Sequence, residues 1–126
     1  MLRLMASRPE VRVVADQVGT PTYAGSLAEA LWRLAGGGHR GILHYTDSGV
    51  ASWYDFACAI KEEALQLRLL EKATPVIPIS TAEYPLPAPR PVFGVLDKAE
   101  TWALLGRPAD HWRNNLRVML ERMKNG

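Results

Sequence analysis

The chain has 126 residues, enough for one domain that buries about two thirds of its unfolded surface without disulfide staples. Its 48% apolar and 22% charged residues exclude a fibrous or disordered chain. Fifteen basic residues stand against thirteen acidic ones and Arg3, Arg8, Arg12, Arg33, Arg40 and Arg68 are scattered rather than striped, so nucleic acid is not expected as a partner.

Leu2, Met5 and Ala6 share helical spacing up to Pro9, and Val11, Val13 and Val14 read as a buried strand. That strand ends in Asp16-Gln17, turns through Gly19 and Pro21, and hands over to a helix, so polar groups gather where a strand becomes a helix. Such junctions bind small ligands in α/β proteins. Ser26-Leu27-Ala28-Glu29 has the form of a capping box, predicting a helix that starts at Ser26. Leu27, Leu31 and Leu34 line its apolar face, and Gly36-Gly37-Gly38 ends it through left-handed backbone geometry. Gly36, Gly38 and Gly41 match the dinucleotide spacing G-x-G-x-x-G in form only. That fingerprint needs a strand before it and a helix N-terminus after it, whereas these glycines follow a helix.

Residues 42–45, Ile-Leu-His-Tyr, are predicted to form a second strand, and Asp47-Ser48-Gly49 a turn. Ser52-Trp53-Tyr54-Asp55 resembles a second capping box and opens the strongest helix, with Trp53, Phe56, Ala57, Ile60, Ala64 and Leu67 on one face and Lys61, Glu62 and Glu63 mostly outside it. Cys58, the single cysteine, reads as a small packing residue; it permits no intramolecular disulfide and no cysteine-rich metal site. Val76-Ile77-Pro78-Ile79 reads as a short edge strand.

Pro85, Pro87, Pro89 and Pro91 then alternate through a stiff, extended stretch. Arg90 within it loses little chain entropy on gripping an anion, and its planar fork suits a diphosphate. Asp97 is placed to cap a short helix through Leu104 and Leu105 that stops at Gly106. Trp112, Leu116, Met119, Leu120 and Met123 form the apolar face of a terminal helix. No apolar run is long enough to cross a membrane and the first residues are too short for a signal peptide, so a cytoplasmic protein is expected.

Four blocks in order carry a family resemblance: Asp16-Gln17-Val18-Gly19-Thr20-Pro21-Thr22, Gly41-Ile42-Leu43-His44-Tyr45, Ser52-Trp53-Tyr54-Asp55-Phe56-Ala57, and Ala88-Pro89-Arg90-Pro91-Val92-Phe93-Gly94-Val95-Leu96-Asp97. Together they resemble the C-terminal part of bacterial dTDP-4-dehydrorhamnose reductases over nearly the whole chain. Two positions depart from the pattern, Ser26 where the family has an acid and Gly94 where it has serine.

The resemblance implies a single α/β unit over residues 1–126, a partial extended short-chain dehydrogenase fold of a few short strands and four to five helices without the N-terminal Rossmann half. It implies that the start falls inside a helix of the longer enzyme, as in a truncated relative or short homologue. Full-length members use NADPH to reduce the C4 carbonyl of dTDP-4-dehydro-L-rhamnose to dTDP-L-rhamnose, with a Tyr-x-x-x-Lys pair whose lysine tunes the proton-donating tyrosine. Here the fourth residues after Tyr23, Tyr45, Tyr54 and Tyr84 are Leu27, Gly49, Cys58 and Ala88, so that pair is missing and no catalytic residue is assigned. Asp16, His44 and Asp55 are read as a strand end, a strand interior and a helix cap rather than a triad or metal site.

By resemblance, Gln17, Gly19, Pro21 and Thr22 shape the dTDP-sugar side, Arg90 contacts the diphosphate and Trp53 forms a wall, while no cofactor is expected on this chain alone. The alternative is a non-catalytic interaction or regulatory module, since the same extended fold occurs in a regulatory subunit of methionine adenosyltransferase. A separate Rossmann half, or self-association into a homo-oligomer, would cover apolar faces left bare.

Overall fold

The structure, a computed structural model, describes all residues 1–126. Five α-helices and four short strands follow in the order α1 (Leu2–Ser7), β1 (Val11–Val14), β2 (Val18–Gly19), α2 (Ala24–Gly36), β3 (Ala51–Ser52), α3 (Trp53–Gln66), β4 (Val76–Ile79), α4 (Ala99–Leu105) and α5 (Trp112–Asn125). A single 3-10 turn, Thr81–Glu83, follows β4. The mixed α/β architecture expected from the sequence is therefore present.

The strands form two separate pairs. β1 and β4 run parallel, Val11 opposite Val76 and Val14 opposite Ile79. Pro78, which has no N–H to donate, is exposed, and β4 has β1 as its sole partner. β2 and β3 run antiparallel, with Val18 opposite Ser52. The core lies where α1, β1, β4, α3 and α5 meet: Met5, Val11, Val13, Ala57, Ala59, Ile60, Ala64, Val76, Leu116 and Leu120 belong to one buried cluster. Alanines on α3 let β1 and α1 approach closely, while Trp112 closes the cluster edge-on against Phe56, ring centres 5.9 Å apart.

Three sequence expectations are corrected. Residues 42–45 form no strand, because no other segment hydrogen-bonds with them, and Ile42 is 85% exposed. α2 starts at Ala24 rather than Ser26, and the capping box is absent. Its cap comes from elsewhere in the chain: the buried carboxylate of Asp47 accepts the Tyr23 N–H at 3.0 Å and the Ser26 hydroxyl at 2.8 Å. Glu63, placed outside the α3 face, is buried and accepts the Arg117 Nε–H at 2.8 Å. The neighbouring box on α3 is present as expected: Ser52 accepts the Asp55 N–H, and Asp55 accepts the Ser52 N–H at 2.9 Å. Asp97 accepts the Ala99 N–H and Gly106 closes α4 in the left-handed region.

The Asp47 turn also reaches α5. Ser48 donates to the Asp110 carbonyl and accepts from the Trp112 N–H, each at 3.0 Å, and the Trp112 indole donates to the Val50 carbonyl. Gly49, at φ +83°, lies against His111 so closely that a Cβ would collide with the imidazole and sit 3.0 Å from Trp112 Cδ1. Gly49→Ala is therefore expected to destabilise the fold by about 1–3 kcal/mol, read as a lower denaturation midpoint at unchanged slope. Asp47→Ala, which leaves the Tyr23 N–H without its acceptor while the Ser26 hydroxyl keeps the Tyr23 carbonyl at 2.8 Å, should cost a similar amount, about 1–3 kcal/mol.

Candidate functional site

The β1–β4 pair delivers Gln17. Ala15 donates to the Ile79 carbonyl at 2.8 Å, extending the ladder past β1, and Asp16 takes the Thr81 N–H at 2.9 Å and the Thr81 hydroxyl at 2.7 Å. Those bonds, the N–H first, hold the Asp16 carboxyl below the usual aspartate range. Gln17 donates from Nε2 to the same threonine hydroxyl at 3.0 Å, which fixes the rotation of its amide. The next residue, Val18, is joined to two distant segments. It pairs with Ser52 on one side; on the other its N–H donates to the Val92 carbonyl and its carbonyl accepts from Gly94, each at 2.8 Å. This clamp pins the proline-rich stretch, and Arg90 with it, beside the start of α3.

The result is an open cleft of about 240 Å³ lined by Gln17, Gly19, Pro21, Trp53 and Arg90, with Phe56, Pro91 and Gly94 completing its wall. Five of the six residues singled out in the sequence thus converge. Thr22 does not line this cleft: its hydroxyl folds back to the Thr20 carbonyl at 3.1 Å, and it borders an adjoining apolar hollow with Phe56, Trp112 and Leu116. Trp53 is 58% exposed at the helix start, its indole clear of the core. Arg90 is exposed and belongs to none of the ion pairs, which involve Arg12, Arg113 and Arg117. Phe56 and Pro91 were missed in the sequence. Phe56 was assigned to the core face, yet it stands one helical turn from Trp53 and shares its side, which is the signal that could have found it.

One free guanidinium, one exposed indole and a fixed carboxamide can hold an anion and a ring, and the Ser52 hydroxyl on the same wall donates to Asp55 at 2.7 Å. Asp55, beside Trp53, is committed to the α3 cap; the Ser52 hydroxyl, and after it the Ser52 N–H, hold its carboxyl below the usual range. The loop from Gly36 to Gly41 lacks the geometry of a dinucleotide fingerprint: Gly36 ends α2, Gly38 has φ +66°, and the helix presents its C-terminal, negative end to that loop.

The family model described as the RmlD substrate binding domain matches residues 1–125. The chain belongs to that family. It is 44% identical over 124 residues to the dTDP-4-dehydrorhamnose reductase of Mycobacterium tuberculosis strain H37Rv, covering 95% of this chain and 38% of that protein. It is 41% identical over 122 residues to the spore coat polysaccharide biosynthesis protein SpsK of Bacillus subtilis, covering 96% and 40%. The crystal structure of a dTDP-4-dehydrorhamnose reductase from Clostridium acetobutylicum superimposes with a TM-score of 0.83 at 31% identity, over 98% of this chain and 42% of that one. The Bacillus anthracis reductase, solved in complex with NADP, gives 0.82 at 28% identity, over 96% and 41%. The chain therefore spans about two fifths of the proteins it matches.

The depressed carboxyls give a pH dependence with a defined sign. A group whose folded pKa lies below its unfolded value stabilises the fold fully above the unfolded value, here 3.8, and that contribution disappears as the pH falls through the folded value. Stability should thus fall on acidification below the ordinary aspartate range. Asp16→Asn and Asp55→Asn should each flatten that fall, as followed by denaturation midpoints at successive pH values.

Proposed function

We propose that this chain is the nucleotide-sugar-binding part of a dTDP-4-dehydrorhamnose reductase and that the cleft is its substrate side. The observation that carries the reading is the convergence of Gln17, Gly19, Pro21, Trp53 and Arg90, brought from three separate stretches of sequence, on one cleft. Arg90 grips the diphosphate of a dTDP-sugar from a backbone already stiffened by Pro89 and Pro91, so little chain entropy is lost on binding. Trp53 and Phe56 offer ring faces to the sugar or base, and Gln17, held by Thr81, presents a fixed carboxamide. Thr22 acts one step away, through the turn that places Pro21.

In the full-length cytoplasmic bacterial enzyme, hydride from NADPH reaches the C4 carbonyl of dTDP-4-dehydro-L-rhamnose and a tyrosine outside this chain protonates the oxygen, giving dTDP-L-rhamnose. This chain alone orients the substrate and performs no hydride transfer.

A non-catalytic interaction module is the second reading, favoured by the apolar surface that α2 leaves bare. Of that helix only Ala30 is buried, while Leu31 is 59% and Trp32 81% exposed, and Leu27, Leu31 and Leu34 line an open hollow with Leu43. Self-association through this face would hide it. Light scattering should then show mass rising with concentration, abolished in Leu31→Glu/Trp32→Glu; a monomer at every concentration would exclude self-association.

Calorimetric titration with dTDP-rhamnose, with NADPH in parallel, tests the main reading. Heat of binding is expected with the sugar nucleotide alone, and Arg90→Ala should weaken it by about 1.5–3 kcal/mol. Equal affinity in parent and variant would remove Arg90 from the site.

A further inference from the structure

A second concavity, of about 290 Å³, opens between α2, residues 105–110 and α5, and shares no lining residue with the cleft. Its wall carries three guanidiniums, Arg33, Arg107 and Arg122, together with the carboxylates of Glu29 and Asp110. Two of the arginines are held in place by the fold. Arg33 donates to the Leu105 carbonyl at 2.6 Å, tying α2 to the end of α4, and Arg122 donates to the Tyr23 hydroxyl at 2.6 Å while lying over its ring. Arg107 enters none of the chain's ion pairs. Asn115 lies on the same wall, 8% exposed, and its Nδ2 is buried without an acceptor. That nitrogen stands behind the wall, out of reach of solvent, so the amide reports on what fills the concavity without touching it.

We propose that this concavity binds a small hydroxyl-bearing phosphate ester. The arginines supply forked, charge-assisted donors for phosphate oxygens, and Glu29 and Asp110 accept from hydroxyls. Arginines alone would suit any anion; the carboxylates beside them repel a bare polyanion and select one that also carries hydroxyl groups. The volume stands at the small end of ligand sites, about 300–1,000 Å³, which suits a phosphorylated monosaccharide and excludes a dinucleotide. This site is independent of the nucleotide-sugar reading of the cleft and does not rest on it.

The test is an NMR titration of the isotope-labelled chain with glucose 6-phosphate as the probe, following the Asn115 side-chain amide and the arginine Nε–H signals. Saturable shifts are expected at Asn115 and Arg107, with binding about tenfold weaker in Arg107→Ala and unchanged in Arg90→Ala. Arg107 is exposed, so its replacement leaves the fold intact, which circular dichroism checks. Glucose and inorganic phosphate should each bind at least about tenfold more weakly than the ester. No saturable shift up to about 10 mM overturns the proposal, as does equal affinity in Arg107→Ala. Shifts centred on Gln17 and Trp53 and lost in Arg90→Ala would also overturn it, by moving the ester to the cleft. Inorganic phosphate binding as tightly as the ester overturns the assignment to a hydroxyl-bearing ligand. Failure of dTDP-rhamnose to bind the cleft would leave all of these readouts unaffected.

Discussion

The buried carboxylate of Asp47 is the contact on which most of the arrangement depends. A carboxylate with 1% exposure survives only where donors surround it, and here they are the Tyr23 N–H and the Ser26 hydroxyl at the first turn of α2. The residues that follow it spread the constraint. Ser48 exchanges backbone hydrogen bonds with the start of α5, and the Gly49 carbonyl accepts the Thr20 hydroxyl at 2.9 Å. Ala51 and Ser52 then pair with β2. One short turn thus fixes where α2 begins, where α5 begins and how the Gly19–Pro21 side of the cleft meets α3. Because the bonds fall on consecutive residues, none can be lost without loosening the next.

Arg90 illustrates how a ligand contact is made without burial. The guanidinium stays exposed, so the fold bears no desolvation cost for it, and its position comes from the backbone alone: prolines on either side fix φ, and Val18 holds residues 92 and 94 from across the cleft. Gln17 shows the opposite strategy, its amide tied to Thr81, which in turn is tied to Asp16. The cleft therefore combines one group positioned by chain stiffness and one positioned by a hydrogen-bond relay.

What could be read from the sequence divides by range. The Ser52–Asp55 box was legible because both partners lie within one turn, and the Gly106 stop because a left-handed residue acts on its own helix. The Ser26–Glu29 box had equal local merit and did not form, since Asp47 offered the Tyr23 N–H a charged acceptor from 21 residues downstream of Ser26. Glu63 was misplaced for the same reason: its partner Arg117 lies on another helix. Residues 42–45 have strand composition, but a strand is completed by a neighbour, and composition does not supply one. The cleft residues were named from the order of the four blocks; that they share a wall follows from the Val18 clamp, which no local pattern encodes.

The parallel pairing of β1 with β4 sets the order in which the molecule can be built. Val11 pairs with Val76, so α2 and α3 lie wholly within the loop that this pair closes. During synthesis β1 emerges with its ladder groups open and waits for β4, roughly 3 to 13 s at ordinary elongation rates of about 5–20 residues per second. The helices, whose contacts are local, can form within that interval, whereas Met5, Val11 and Val13 remain solvated until the chain returns. The core is thus completed only after β4 and α5 have been made, and its earliest-made residues are the ones most exposed to a chaperone or to another nascent chain.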